Sequence, residues 1–134
     1  MVNKKLLNPV QLAPPTGFSH GILVPSGRLL ILAGQTASGS DGHIVSPGNI
    51  VRQFEQVIAN LQTVCQEAGG ALTHIVKLTI YVTDKAAYRE HQREIGQVYR
   101  RYFGKYYPAM TLVEVKGLWD EEAMIEIEGI AVVV

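Results

Sequence analysis

This chain is short of several things that would give it an obvious specialised role. It has one cysteine, Cys65, in 134 residues. A lone thiol excludes an intrachain disulfide framework and suits a reducing compartment. No Cys-x-x-Cys partner stands beside it, which argues against a thiolate metal site. Net charge is lacking too. Twelve basic and twelve acidic side chains cancel, so no bulk field draws in nucleic acid or an anionic membrane. No apolar run approaches the ~20 residues of a membrane span. Asn8, Pro9, Gln11, Pro14 and Pro15 interrupt any signal-peptide core after Lys4-Lys5-Leu6-Leu7. A cytoplasmic protein with no membrane partner is the expectation. No repeat and no low-complexity tract is present, and His43 and His74 have no partner at metal-ligand spacing.

The remaining composition, 47% hydrophobic and 18% charged, is that of one globular domain spanning residues 1–134. A chain of this length buries roughly two-thirds of its unfolded surface and needs no staple to fold.

The clearest pattern is at the C-terminal end. Met124 to Val134 alternates with period two, as a strand does. Ile125, Ile127, Gly129, Ala131 and Val133 share one face; Met124, Glu126, Glu128, Ile130 and Val132 share the other. Pro108 to Val115 reads as a second strand with Met110, Leu112 and Glu114 on one face, and a reaction site is expected on the carboxylate-bearing face of the two. Upstream, Lys5 to Leu7 suits a short edge strand and Pro9 to Gly17 a connector. Phe18 to Val24 and Arg28 to Ala33, separated by Pro25-Ser26-Gly27, read as a hairpin. Leu29 to Ala33 is apolar on both faces, which predicts a central strand.

Ser46-Pro47 offers a hydroxyl cap and a first-turn proline. From Ile50 the apolar residues recur at helical spacing to Ala68, and Gly69-Gly70 ends that helix. Cys65 lies on its stripe, as a buried structural thiol would. Ile75 to Val82 is a strand with Val76, Leu78, Ile80 and Val82 on one face. Asp84 caps a second helix running to about Phe103, with His91 on its buried stripe. The expected fold is α+β: a two-layer sandwich of one mixed β-sheet with two helices on one face. The other sheet face mixes Lys77, Thr79, Tyr81, Glu114, Glu126 and Glu128 with Met110, Leu112, Ile130 and Val132, too apolar for full exposure. Subunits are expected to associate through it, with a ligand pocket at the seam.

The order and spacing of these segments resemble the Rid (YjgF-type, L-PSP endoribonuclease-like) family. The resemblance rests on Gly34-Gln35 after an apolar strand, Glu67-Ala68-Gly69-Gly70, Val76 to Asp84, Tyr99 to Phe103, Pro108 to Val115 and Ile125 to Ala131. It implies a chorismate-mutase-like fold, a homotrimer with intersubunit clefts, and cofactor-independent hydrolysis of 2-imino or enamine acids to 2-keto acids and ammonia. It implies Glu126 as proton carrier or water-positioning group, with Phe18, His20, Ala33, Gly34, Gly96, Met110 and Leu112 lining the small-molecule site and no metal. Met110 stands where catalytic members carry a carboxylate-gripping arginine, Phe18 and His20 where tyrosine and glutamine are frequent, and Gly96 where asparagine is. A thioether has no donor and no charge. The question of enzyme or not is therefore left open between an imine or enamine deaminase, a non-catalytic ligand sensor or interaction protein, and an endoribonuclease acting on single-stranded RNA.

Glu126 and Glu128 also read as a plain solvated pair; their repulsion calls for a protonated partner or a cation such as Lys77 or Lys116. His20 reads as a cleft hydrogen-bonding group or a structural one. The run Tyr99 to Tyr107, with Arg100, Arg101 and Lys105, could suggest RNA contact, but packed aromatics and cations that complement a helix C-terminus are the stronger reading, and zero net charge argues against RNA. Trp119 has no assigned partner.

Overall fold

The computed structural model describes residues 3–134. The strands are β1 (Lys5–Leu7), β2 (Gly21–Leu23), β3 (Arg28–Gln35), β4 (Ile75–Val82), β5 (Ala109–Glu114) and β6 (Ile125–Val133). The helices are α1 (Ile50–Glu67), α2 (Lys85–Glu90) and α3 (Gln92–Phe103), with a 3-10 turn at Leu72–His74. The main sheet runs β3-β6-β4-β5, antiparallel except for the β4–β5 pair, and β1 and β2 form a separate ribbon. It is an α+β fold with a mixed sheet.

The expectation of two helices, and with it the chorismate-mutase-like assignment, is corrected. There are three α-helices among the described residues, and the sheet ends on the edges β3 and β5 rather than closing. The predicted second helix divides at His91, whose backbone leaves the helical region at φ −105°, ψ 20°. The Ala87 carbonyl there meets both the His91 N–H at 3.2 Å and the His91 Nδ1 at 2.9 Å. A side chain competing for a ladder carbonyl breaks the helix locally. Asp84 does cap α2, accepting from the Ala87 N–H at 3.1 Å.

The hairpin is also corrected. β2 pairs with β1, and β3 pairs with β6. β3 is thus an edge strand, with Leu29 and Ile31 68% and 64% exposed. Two apolar faces suit a central strand or an edge whose outer face meets a partner, and alternation alone does not separate them.

Helices α1 and α3 pack together, and α1 lies on β3 and β6. The α1 stripe, Ile50, Phe54, Val57, Ile58, Leu61 and Cys65, is buried in full, and burial raises the Cys65 thiol pKa. In one core cluster with it lie Ile125, Ile127 and Ala131 of β6 and Leu78, Ile80 and Val82 of β4. Val76 is not among them. A bulge between the Ile75–Ala131 and Lys77–Ile130 pairs shifts the phase, so Ile75 enters the core instead. One extra residue exchanges the faces of everything before it.

Helix α1 begins at Asn49, whose Oδ1 accepts from the Arg52 N–H at 3.0 Å. Ser46 is not the cap; it sits in a tight turn with φ 48°. Gly69, at φ 80°, ends the helix in the left-handed conformation that suits glycine.

One buried polar residue ties α1 to the sheet. Gln53 has no solvent exposure. Its Nε2 donates to the Ser46 and Glu122 carbonyls at 3.3 and 3.1 Å, and its Oε1 accepts from the Met124 N–H at 2.9 Å. It thereby fixes the entry into β6. Replacing Gln53 with leucine strands these backbone groups, each costing about 1–3 kcal/mol when buried unpaired. Gln53→Leu is expected to lose about 2–4 kcal/mol in urea unfolding, and a midpoint equal to the natural protein's would refute the clamp.

Candidate functional site

The register divides the predicted site residues between the two sides of the sheet. In the parallel β4–β5 pair, Leu78 lies beside Met110, Ile80 beside Leu112 and Val82 beside Glu114. In the antiparallel β4–β6 pair, Tyr81 lies beside Glu126 and Thr79 beside Glu128. Cross-strand partners share a face, so Met110, Leu112 and Glu114 face the helices while Glu126 and Glu128 face away. The expectation that these two strands present one carboxylate-bearing face is corrected. Each strand's alternation is read properly, but the phase between strands is set by pairing through β4. Glu114 has a structural task on the helix side: its Oε2 accepts from the Lys85 N–H at 2.8 Å at the start of α2.

On the helix side, α3 stands off from β4 and β5 and leaves a cavity of about 520 Å³. Phe18, Gly96, Met110 and Leu112 line it, with Ile80 and Ile127 from the sheet, Phe54 and Ile58 from α1, and Tyr99 and Arg100 from α3. Its α3 wall is held by an aromatic stack. Tyr99 lies parallel to Phe103 and Tyr107, at centroid distances of 4.4 and 4.9 Å, and its hydroxyl donates to the Tyr106 carbonyl at 2.6 Å. Burial raises the Tyr99 phenol pKa, and it raises that of Tyr88, also in the lining, to about 12. Both are neutral donors at ordinary pH. These rings are turned on one another, while Arg101 pairs with Glu55 at 3.3 Å.

His20 does not line the cavity. Its ring meets Phe18 edge-on at 5.1 Å, its Nε2 lies 2.8 Å from the Ala13 carbonyl and its backbone N–H donates to Asn8 Oδ1 at 2.8 Å. It braces Phe18 from the N-terminal connector.

The outward face gathers a second group. Ala33 and Gly34 occupy a bulge between the Leu32–Gly129 and Gln35–Ile127 pairs. The bulge brings Gly34 against Glu126: a Cβ on Gly34 would stand 2.1 Å from Glu126 Oε2. Only a residue without a side chain leaves that carboxylate its place. Glu126 is half-buried and Glu128 exposed. Desolvation raises the Tyr81 phenol pKa, with the negative charges of Glu128 and Glu126 adding to the effect. Lys77 donates to Thr111 Oγ1 at 2.8 Å, and the one ion pair among the described residues is Arg101–Glu55. The cation expected beside the glutamates is therefore not Lys77; a tyrosine hydroxyl stands there. Trp119, in the β5–β6 connection, is fully exposed.

Among the described residues, no group of three or more His, Cys, Asp or Glu side chains is placed to hold a metal, and no helix is long and apolar enough to cross a membrane. Sequence reading did not single out Arg100 as a cavity residue or Gln53 as a clamp. The i, i+4 spacing of Gly96 and Arg100 was the available signal for the first, and a glutamine on an otherwise apolar stripe for the second.

Comparison with known proteins places these features in a family. The model described as Endoribonuclease L-PSP matches residues 9–133. A RutC family protein of Pyrococcus abyssi is 33% identical over 114 residues, covering 85% of this chain and 84% of that protein. A 2-iminobutanoate/2-iminopropanoate deaminase of Capra hircus is 28% identical over 115 residues, covering 86% and 79%. Among solved structures, the Rid-family protein YyfB of Yersinia pestis superposes with a TM-score of 0.88 at 34% identity over 98% of this chain and 99% of that one. RidA of an Antarctic Psychrobacter gives 0.68 at 25% identity, covering 90% and 92%. The chain belongs to the L-PSP endoribonuclease family, whose members are also called Rid or YjgF-type proteins.

Proposed function

We propose that this protein, acting as a single domain over residues 1–134, is a homotrimeric, cofactor-independent hydrolase of an imine or enamine metabolite, with each reaction site completed by a second copy. The carrying observation is the division of the family-type site residues between two faces of one sheet. Phe18, Gly96, Met110 and Leu112 surround a cavity on one side; Gly34 and Glu126 meet on the other. A sheet face bearing exposed Leu29 and Ile31 is suited to cover. A copy laid with that face across the β5 edge of its neighbour would bring its Glu126 to the neighbour's cavity. The deaminase name of the goat relative supports the reaction class.

The chemistry asks for little machinery. Water adds to the C=N carbon, its proton passes through Glu126 to nitrogen, and the carbinolamine expels ammonia to leave a carbonyl. Leu112 would offer its backbone carbonyl to the water, with Ala33 and Gly34 bordering the cleft. His20 supports this arrangement only indirectly, through Phe18.

A second reading, a non-catalytic ligand-binding protein, is favoured by one feature: no carboxylate, histidine or lysine lines the cavity of the single chain. If no partner's Glu126 reaches the cavity, the pocket binds without turning over. The endoribonuclease reading has the family description behind it, but Arg101 is committed to Glu55 and the Tyr99 stack is committed internally.

The two main readings separate on ammonia release from freshly generated 2-imino acids. Glu126→Gln is expected to lower that rate by about 10²–10⁴-fold with the fold unchanged by circular dichroism. Equal rates would remove Glu126 from the reaction. Gly34→Ala drives the carboxylate aside and is expected to cost roughly a hundredfold, as small misplacements of catalytic groups do; full activity would show that the close approach is incidental. Sedimentation should give three times the 14.7 kDa of one chain, and a monomer would sink the shared site.

A further inference from the structure

We propose that Arg100 is the anion-binding group of the cavity, and that the ligand it selects is a small carboxylate carrying a bulky apolar side chain. Two adjacent arginines close α3, and they are used differently. Arg101 is engaged by Glu55 at 3.3 Å. Arg100 lines the cavity, is exposed, and has no carboxylate partner among the described residues.

Its position follows from helix geometry. Helical side chains lean toward the N-terminus and cover the residue four places back. For Arg100 that residue is Gly96. A Cβ at position 96 would stand 3.2 Å from Arg100 Nη1 and 3.9 Å from Cζ and Nη2. Glycine is a poor residue for a helix interior, but here it leaves a lane in which the guanidinium lies along α3 beside the cavity.

The rest of the lining defines the other end of the ligand. Phe54, Ile58, Leu78 and Ile127 are each at most 2% exposed and form an apolar floor, with Met110 and Leu112 beside them. No acidic side chain lines the space. A single guanidinium over a hydrocarbon floor suits an amphipathic anion: carboxylate toward Arg100, held by two parallel N–H donors, and side chain inward. About 520 Å³ leaves room for a branched or aromatic group beyond a three-carbon acid. The inference rests on the preceding reading for the reaction, where it narrows the substrate to 2-imino acids with large apolar side chains, but not for the binding.

Binding is read without turnover, by calorimetric titration of the intact protein with three stable probes: 4-methyl-2-oxopentanoate, pyruvate, and the uncharged 4-methyl-2-oxopentanamide. The branched acid is expected to bind more tightly than either of the others. Arg100→Gln is expected to weaken the branched acid by about tenfold while leaving the amide unchanged. Arg101→Gln is the matched control and should alter neither. Gly96→Ala, which crowds the guanidinium but favours the helix, should raise the melting temperature and still weaken the acid. No saturable binding of the branched acid, equal binding by Arg100→Gln, or pyruvate binding as tightly as the branched acid would each overturn the proposal. The two readings fail separately. Arg100-dependent binding without ammonia release ends the deaminase reading and keeps this one; ammonia release indifferent to Arg100→Gln does the reverse.

Discussion

Neighbouring residues on β6 serve environments that never meet within one chain, and the fold depends on that alternation being held in phase. β6 is paired along both edges, to β3 and to β4. Its inward residues, Ile125, Ile127, Ala131 and Val133, are all buried. A slip of one residue would turn them outward and drive Glu126 and Glu128 under the helices. Burying an unpaired carboxylate is far costlier than any pairing gained, so one register dominates. Gln53 reinforces it where the strand begins, by holding the Met124 N–H.

That constraint separates an apolar recess from a carboxylate-bearing face. Ile127 helps line the cavity, while the residue before it, Glu126, stands against Gly34 on the opposite side. The cavity stays open because α3 rests on a rigid prop, the stacked Tyr99, Phe103 and Tyr107. Burial raises the phenol pKa of Tyr99 and of Tyr106 behind it, so Tyr99 keeps its bond to the Tyr106 carbonyl and Tyr106 its bond to the Ile75 carbonyl as pH changes. A single chain therefore offers an apolar recess without an acid or base, and an acid without a recess. In the proposed assembly the two are supplied by different copies, and catalysis becomes a property of the seam.

How far the sequence revealed this depended on the range of each signal. Period two in β6, the α1 stripe and the Asp84 cap are local, and all are present. The relation between strands is not local. Nothing in Pro108 to Val115 states that Met110 shares a face with Leu78 rather than with Glu126; only the parallel pairing to β4 does. The bulge at Val76 escaped for the same reason, because an unpaired extra residue leaves apolar alternation looking continuous. β2 and β3 are neighbours in sequence, yet each found its partner elsewhere. Ser46 had the right chemistry for a cap, but the chain turns too sharply there, and Asn49 sits where the helix starts. For the site, Phe18, Gly96, Met110 and Leu112 converge, whereas Glu126 is separated from them by the thickness of the sheet.

The balance of charge bears on how such a site selects its ligand. With twelve charges of each sign, the molecule has no net field to concentrate anions from solution, and at physiological salt any local field fades within roughly 8 Å. Recognition has to happen at contact. Met110 offers no charge there, which leaves the unpaired guanidinium of Arg100 as the cation on the cavity wall. A cation on a helix is placed by side-chain reach rather than by a strand's fixed pleat, and it tolerates ligands of more than one length. The apolar floor then carries the discrimination, because each methylene left without contact forfeits on the order of 0.8 kcal/mol of burial. A pocket built this way ranks carboxylates by how well their hydrocarbon fills it.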